Sequence, residues 1–229
     1  LTLPGTVGSA NQVLTTDGTS GILSWSTPSS GGRTTLTSNR TYYVGFDLGT
    51  CAISQASPGV VTLNSHGLGA NDPVIFSTTG TLPAPLIAGA VYYVTASPGA
   101  NTFSVSLTAG GTAINTTSTG AGTHRVRTGK DTNDGLTSSR TGAFLTIQKA
   151  IDTVASIDLS SFNCTIKLAR GRYLESLEAK SFTGAGPVFI EGATSTASDT
   201  SLQPISLGAV TTTANPTNTI NRTSHGLVN

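Results

Sequence analysis

Methionine is missing from these 229 residues, so a translation start does not lie among them. Charge is scarce as well: 12 Lys and Arg stand against 11 Asp and Glu, a net charge of +1, scattered along the chain. Such a balance supplies no field to gather nucleic acid or an anionic membrane surface, and neither partner is expected. No apolar run approaches the ~20 residues that span a bilayer, so membrane insertion is not expected. The stretch from Leu1 to Gly8 lacks the basic start and apolar run of a signal peptide. Two cysteines, Cys51 and Cys164, are too few for a disulfide framework or a structural metal site and read as buried free thiols.

What remains is a chain rich in Thr, Ser and Gly, with 27 glycines, 6% aromatic and 36% hydrophobic residues. That apolar content builds cores only if strands are short and shared, a profile of neither a disordered chain nor a helical enzyme. The phrase Ser65-His66-Gly67-Leu68 returns as Ser224-His225-Gly226-Leu227. The first copy opens a long β-patterned unit, so the second is expected to open another, truncated at 209–229, within a longer repeat-built protein.

Residues 1–32 read as an extended leader for attachment or trimer packing. Asp17-Gly18 between the β-prone runs Gln12–Thr16 and Gly21–Ser26 predicts a hairpin with a loop longer than two residues. A lone hairpin is marginal in water, so Val13, Leu14, Ile22 and Trp25 need an outside surface and are the candidate trimer or docking contacts. The run Asn11-Gln12-Val13-Leu14-Thr15-Thr16-Asp17-Gly18 with Leu23-Ser24-Trp25 resembles a segment of bacteriophage tail-fibre and other virion appendage proteins.

Thr35–Val44 predicts a strand, with Arg40-Thr41-Tyr42-Tyr43-Val44 at its end. In phage tail proteins that this chain resembles, such a strand runs almost directly into a Gly-x-Asp-x-Asn-Asp-Gly-Leu turn, which appears here only at Gly129–Leu136. Residues 51–126 are therefore expected to be an inserted small β domain, since loop tips tolerate insertions. Its strands are Val74-Ile75-Phe76, Val91-Tyr92-Tyr93-Val94 and Phe103–Leu107, the last with Phe103, Val105 and Leu107 on one face. It resembles a module of phage tail proteins.

Beyond the turn, Phe144–Ala155 predicts a helix with Thr146 as N-cap and Ile147, Ile151 and Val154 on one face. A strand Cys164–Leu168, a Gly171-Arg172-Tyr173 turn and Pro187–Gly192 follow. This order resembles the beginning of a pectate-lyase-like parallel β-helix, and the resemblance implies that Ile147, Ile151 and Val154 form the cap of its open end. The expected fold is thus mostly β: the start of a right-handed parallel β-helix over 33–50 and 127–208, with one capping α-helix and an inserted small antiparallel β domain.

Chemistry is harder to find. Glycosidases need two facing carboxylates, and Glu175, Glu178 and Glu191 read instead as solvated surface charges. Asp131–Gly135 misses the glycine position of a calcium loop and reads as an Asx-type turn. His66 and His225, each beside a glycine, read as turn-closing side chains. No catalytic set, cofactor site or metal site is expected. The resemblance implies a non-enzymatic part of a phage tail fibre, tailspike or related appendage: extracellular, on the virion, a homotrimer touching other tail or baseplate proteins, with a host-surface glycan as a further partner. The alternatives are a capsule depolymerase with catalytic rungs downstream, and a secreted β-helical adhesin.

Overall fold

The computed structural model describes residues 5, 9, 12–16, 22–26, 32–95 and 98–193. The second Ser-His-Gly-Leu copy, the truncated unit at 209–229 and the end of the 127–208 segment lie outside the described residues. So do Leu3 and Val7 of the leader. In chain order the elements are β1 (Val13–Thr16), β2 (Leu23–Ser26), β3 (Arg40–Val44), β4 (Phe46–Ile53), β5 (Val61–Thr62), β6 (Pro73–Thr78) and β7 (Val91–Val94). They continue with β8 (Thr102–Phe103), β9 (Val105–Ser106), β10 (His124–Thr128), α1 (Ile147–Ala155), β11 (Cys164–Leu168) and β12 (Val188–Glu191). The fold is mostly β, with one helix among the described residues.

The leader hairpin is present: β1 and β2 pair antiparallel, Leu14 opposite Trp25 and Thr16 opposite Leu23. Alternation puts these four on one face, while Thr15 on the other bonds Ser26 Oγ at 3.0 Å.

Residues 46–128 form a seven-stranded antiparallel sheet in the order β8-β5-β4-β10-β6-β7-β9. Its two edges, β8 and β9, are separated in sequence only by Ser104. One extended segment thus pairs on one side with β5, Phe103 opposite Val61, and on the other with β7, Val105 opposite Val94. Ser104 O accepts Thr95 N at 2.9 Å and Ser104 Oγ donates to Gly59 O at 2.8 Å. The sheet curls into a nearly closed barrel, which removes most of its exposed edge. Inside lie Val61, Val74, Phe76, Tyr92, Val94, Phe103, Val105 and Val126.

The expected apolar face of Phe103, Val105 and Leu107 breaks at its end. Ser106 is buried and Leu107 is 70% exposed. The cause is local: the Ser106 hydroxyl donates to Thr108 O at 2.8 Å, with Tyr93 O 3.2 Å away as the alternative acceptor, where the chain turns out of the strand before Leu107.

A second core gathers α1 and a three-stranded parallel sheet ordered β12-β11-β3. Tyr42, Ile166 and Ile190 stand in register across it. A second set of parallel bridges runs beside it, Thr35 to Asp158 and Asp158 to Thr183, in the same order. The helix is shorter than the predicted stretch and begins at Ile147, where Thr146 Oγ1 accepts Lys149 N at 3.1 Å as N-cap. Ile147, Ala150, Ile151 and Val154 are buried against Leu36, Tyr42, Val44 and Leu168.

Candidate functional site

Ionisable side chains concentrate where the chain passes between barrel and parallel sheet. The crossings are at Gly45, between β3 and β4, and at Gly129, after β10. Gly45 has φ 74°, and a Cβ there would meet Ala169 Cβ and Tyr173 Oη at 3.2 Å. Dihedral and close approach both call for glycine.

Arg127 sits at the centre of this junction. Its β10 neighbours Val126 and Thr128 are buried with the barrel, yet Arg127 itself is only 3% exposed. The guanidinium lies 3.6 Å from the Tyr173 ring centroid, and Nη2 donates to Arg172 O at 3.1 Å. Burial pulls its pKa down, opposed by Tyr173 and Glu175. Cation–π attraction strengthens when water is excluded, as it is here. The Tyr173 hydroxyl lies 3.1 Å from Val44 O and 2.9 Å from Ala169 O, and burial pushes its phenol to about 12.

Glu175 follows on the same strip. Its Oε2 accepts Ile147 N at 2.8 Å and Gln148 N at 3.3 Å, the first two amides of α1. Burial raises its pKa, against the pull of those amides and of Arg127. Asp131 serves the same helix start: Oδ1 accepts Leu145 N and Thr146 N at 2.9 and 3.0 Å, and Oδ2 accepts the Thr146 hydroxyl at 2.8 Å. Carboxylates there satisfy orphan amides and meet the positive end of the helix dipole. The remainder of the acidic run is a turn, with Asp134 Oδ1 accepting Leu136 N at 2.9 Å and Asn133 Nδ2 donating to Ala143 O at 2.8 Å. Among the described residues, no three His, Cys, Asp or Glu side chains gather to hold a metal.

Asp72, just before β6, forms the other charged contact of the junction. It is 4% exposed, with Lys130 Nζ 2.6 Å from Oδ1 and Arg140 Nη1 3.4 Å from Oδ2, which also accepts Gly69 N at 2.8 Å. Burial alone would raise its pKa, but Lys130, the Gly69 amide and Arg140 outweigh it and hold the carboxyl below the usual range. On the barrel's flank, Arg125 pairs with Asp47 at 2.6 Å.

His66 does close its turn. Nδ1 accepts Leu68 N at 3.0 Å beside Gly67, φ 62°, and the ring packs edge-on against Phe103 with centroids 4.9 Å apart. His124, a barrel residue, meets Thr78 Oγ1 at 2.8 Å, and burial lowers its pKa.

The other sequence candidates fall apart in space or in role. Glu178 pairs with exposed Lys180 at 2.7 Å, and Glu191 stands opposite Lys167 on the sheet's outer face. Glu175, by contrast, is not the solvated charge the sequence suggested, because α1 begins against it. Cys51 and Cys164 are buried free thiols, raised by burial to about 12 and about 11, which leaves them unreactive at neutral pH. In the leader, Val13, Leu14 and Ile22 are exposed and Trp25 is half-buried.

Sequence reasoning missed Arg127, Tyr173 and Asp72. Nothing local in His124-Arg125-Val126-Arg127-Thr128 announces that Tyr173 covers one of its arginines. Asp72 did carry a signal, as an acid beside Pro73 in an otherwise apolar strand start. The carboxylates of this cluster are all engaged by protein groups, whereas Arg127 keeps Nε and Nη1 buried without a hydrogen-bond partner and is held by Nη2 and the Tyr173 ring. The contacts fasten two units together.

No family model, no curated protein and no solved structure matches this chain.

Proposed function

We infer that this chain is a structural segment of a bacteriophage tail fibre, tailspike or related virion appendage, supporting attachment to the host cell. The observation that carries the reading is the pair of parallel ladders stacked in one order, Thr35–Asp158–Thr183 and β3–β11–β12. Two parallel ladders repeated at each step are what successive turns of a parallel β-helix would produce, and α1, with Ile147, Ile151 and Val154 on that core, takes the place of its cap. On this reading residues 51–126 are a barrel inserted between the first and second turns, its ends brought together by the β4–β10 ladder.

The role is mechanical and adhesive. A β rod projects receptor-binding parts from the particle, and the leader packs between three copies of the chain or against a docking protein. The apolar face of the hairpin supports this, because a two-stranded sheet cannot bury Leu14, Leu23 and Trp25 by itself. Labelling the intact particle with an antibody to this chain and imaging it tests the assignment: label on the tail or its appendages is expected. Label on no part of the particle, together with secretion of the free protein, sinks it.

A further inference from the structure

The chain crosses between barrel and parallel sheet at two points, Gly45 and Gly129, and two crossings next to each other make the covalent link a narrow two-stranded ribbon. Phe46 and Thr128 are register partners at its root. Nothing in the covalent path fixes the angle of the barrel. Contacts beyond the ribbon must do so, if anything does.

Gly89, between β6 and β7, packs close to Leu174 and Arg172, and two further contacts are made by charged side chains that arise from different segments of the barrel and land on different segments beyond it. From β10, Arg127 lies on the Tyr173 ring at 3.6 Å and bonds Arg172 O at 3.1 Å, both in the strip that follows β11. Gly171 is part of this seat: its φ is 141°, and a Cβ there would stand 3.2 Å from Arg127 Nε. From the segment before β6, Asp72 holds Lys130 and Arg140 of the turn that precedes α1. The Arg140 guanidinium also reaches over the His66 turn, 3.6 Å from where a Cβ of Gly67 would be. The two anchors are tied to each other, since Thr128 Oγ1, beside Arg127, donates to Pro73 O, beside Asp72, at 2.6 Å.

We propose that Arg127 and Asp72 form a two-point clamp that fixes the barrel's orientation on the parallel stack, making one rigid body of two separately cored units. Two anchors on separate segments oppose both swing and twist about that ribbon. The Arg127 and Asp72 side chains are themselves nearly water-free, and because desolvation offsets much of the attraction of a buried charge, such contacts specify orientation more than they add stability. Arg127 and Asp72 are positioning residues, and the proposal stands whether or not the chain belongs to a virion.

The test is a distance distribution between spin labels on the whole chain, at Thr119→Cys on the barrel and Ser181→Cys beyond β11, both exposed positions. The native Cys51 and Cys164 are buried and do not compete for label. A single narrow distribution is expected. Combining Asp72→Asn with Arg127→Met should broaden it at least twofold while circular dichroism and amide protection of both cores persist. A broad distribution in the unaltered protein overturns the proposal, as does an unchanged width in the folded double variant. If that variant does not fold, Lys130→Gln with Arg140→Gln, at half-exposed side chains, carries the test: broadening is expected, and an unchanged narrow distribution overturns the clamp.

Discussion

Phe46 and Thr128 stand opposite one another where β4 and β10 meet, so a segment of more than eighty residues leaves and re-enters the rest of the chain at one place. The barrel core and the core around α1 share no buried apolar side chain. This geometry sets the first expectation below.

Replacing residues 50–125 with an Asn-Gly turn, so that Gly49 leads into Val126 as in the native register, should leave α1, β3, β11 and β12 folded. Two-residue Asn-Gly turns match the twist of antiparallel strands. Amide exchange at Ile166 is the measurement; loss of its protection would show that the barrel is needed to build the second core.

Ile151→Asp places a charge among the apolar side chains of the α1 contact. Ile151 is 6% exposed, and an unpaired buried charge costs on the order of 3–5 kcal/mol. Denaturant titration should show that loss, with barrel signals such as Phe76 less affected. An unchanged midpoint would mean that the helix does not rely on this contact.

Acid should weaken the barrel through His124. Burial lowers its pKa in the folded state, so the unfolded chain takes up the proton first. Stability is therefore complete above about pH 6.5, the ordinary histidine value, and falls as pH drops through the lower folded value. Melting temperatures between pH 8 and pH 5 should show this decline, and His124→Gln should flatten it. Parallel curves for the two proteins would assign the decline to other groups.

The proposed assembly is checked by sedimentation of the full chain, where a trimer is expected. Leu14→Lys puts a charge on the apolar hairpin face beside Trp25 and should shift the population to monomer, with Trp25 fluorescence becoming more quenchable. A monomer before substitution would move weight from the appendage reading to a secreted enzyme.

Much of the local structure was legible. Asp17-Gly18 marked the hairpin, the spacing of Ile147, Ile151 and Val154 marked the buried side of α1, and Thr146 marked its cap, because each rests on residues within a few positions of one another. His66 closing its own turn is legible for the same reason. Leu107 was misread because period-2 alternation carries no mark for where a strand stops, and the Ser106 hydroxyl ended this one.

The sequence by itself determined the chain's class and its small parts: short β-branched strands, a single amphipathic helix among the described residues, glycine-rich turns, scattered charge and inert thiols. These follow from composition and from neighbours one to four residues apart. Only the tertiary structure decided that Thr102–Ser106 closes a barrel, that Glu175 meets the start of α1, and that Arg127 is buried on Tyr173. Those contacts join residues tens of positions apart, and their energy depends on excluding water between surfaces that local pattern cannot bring together.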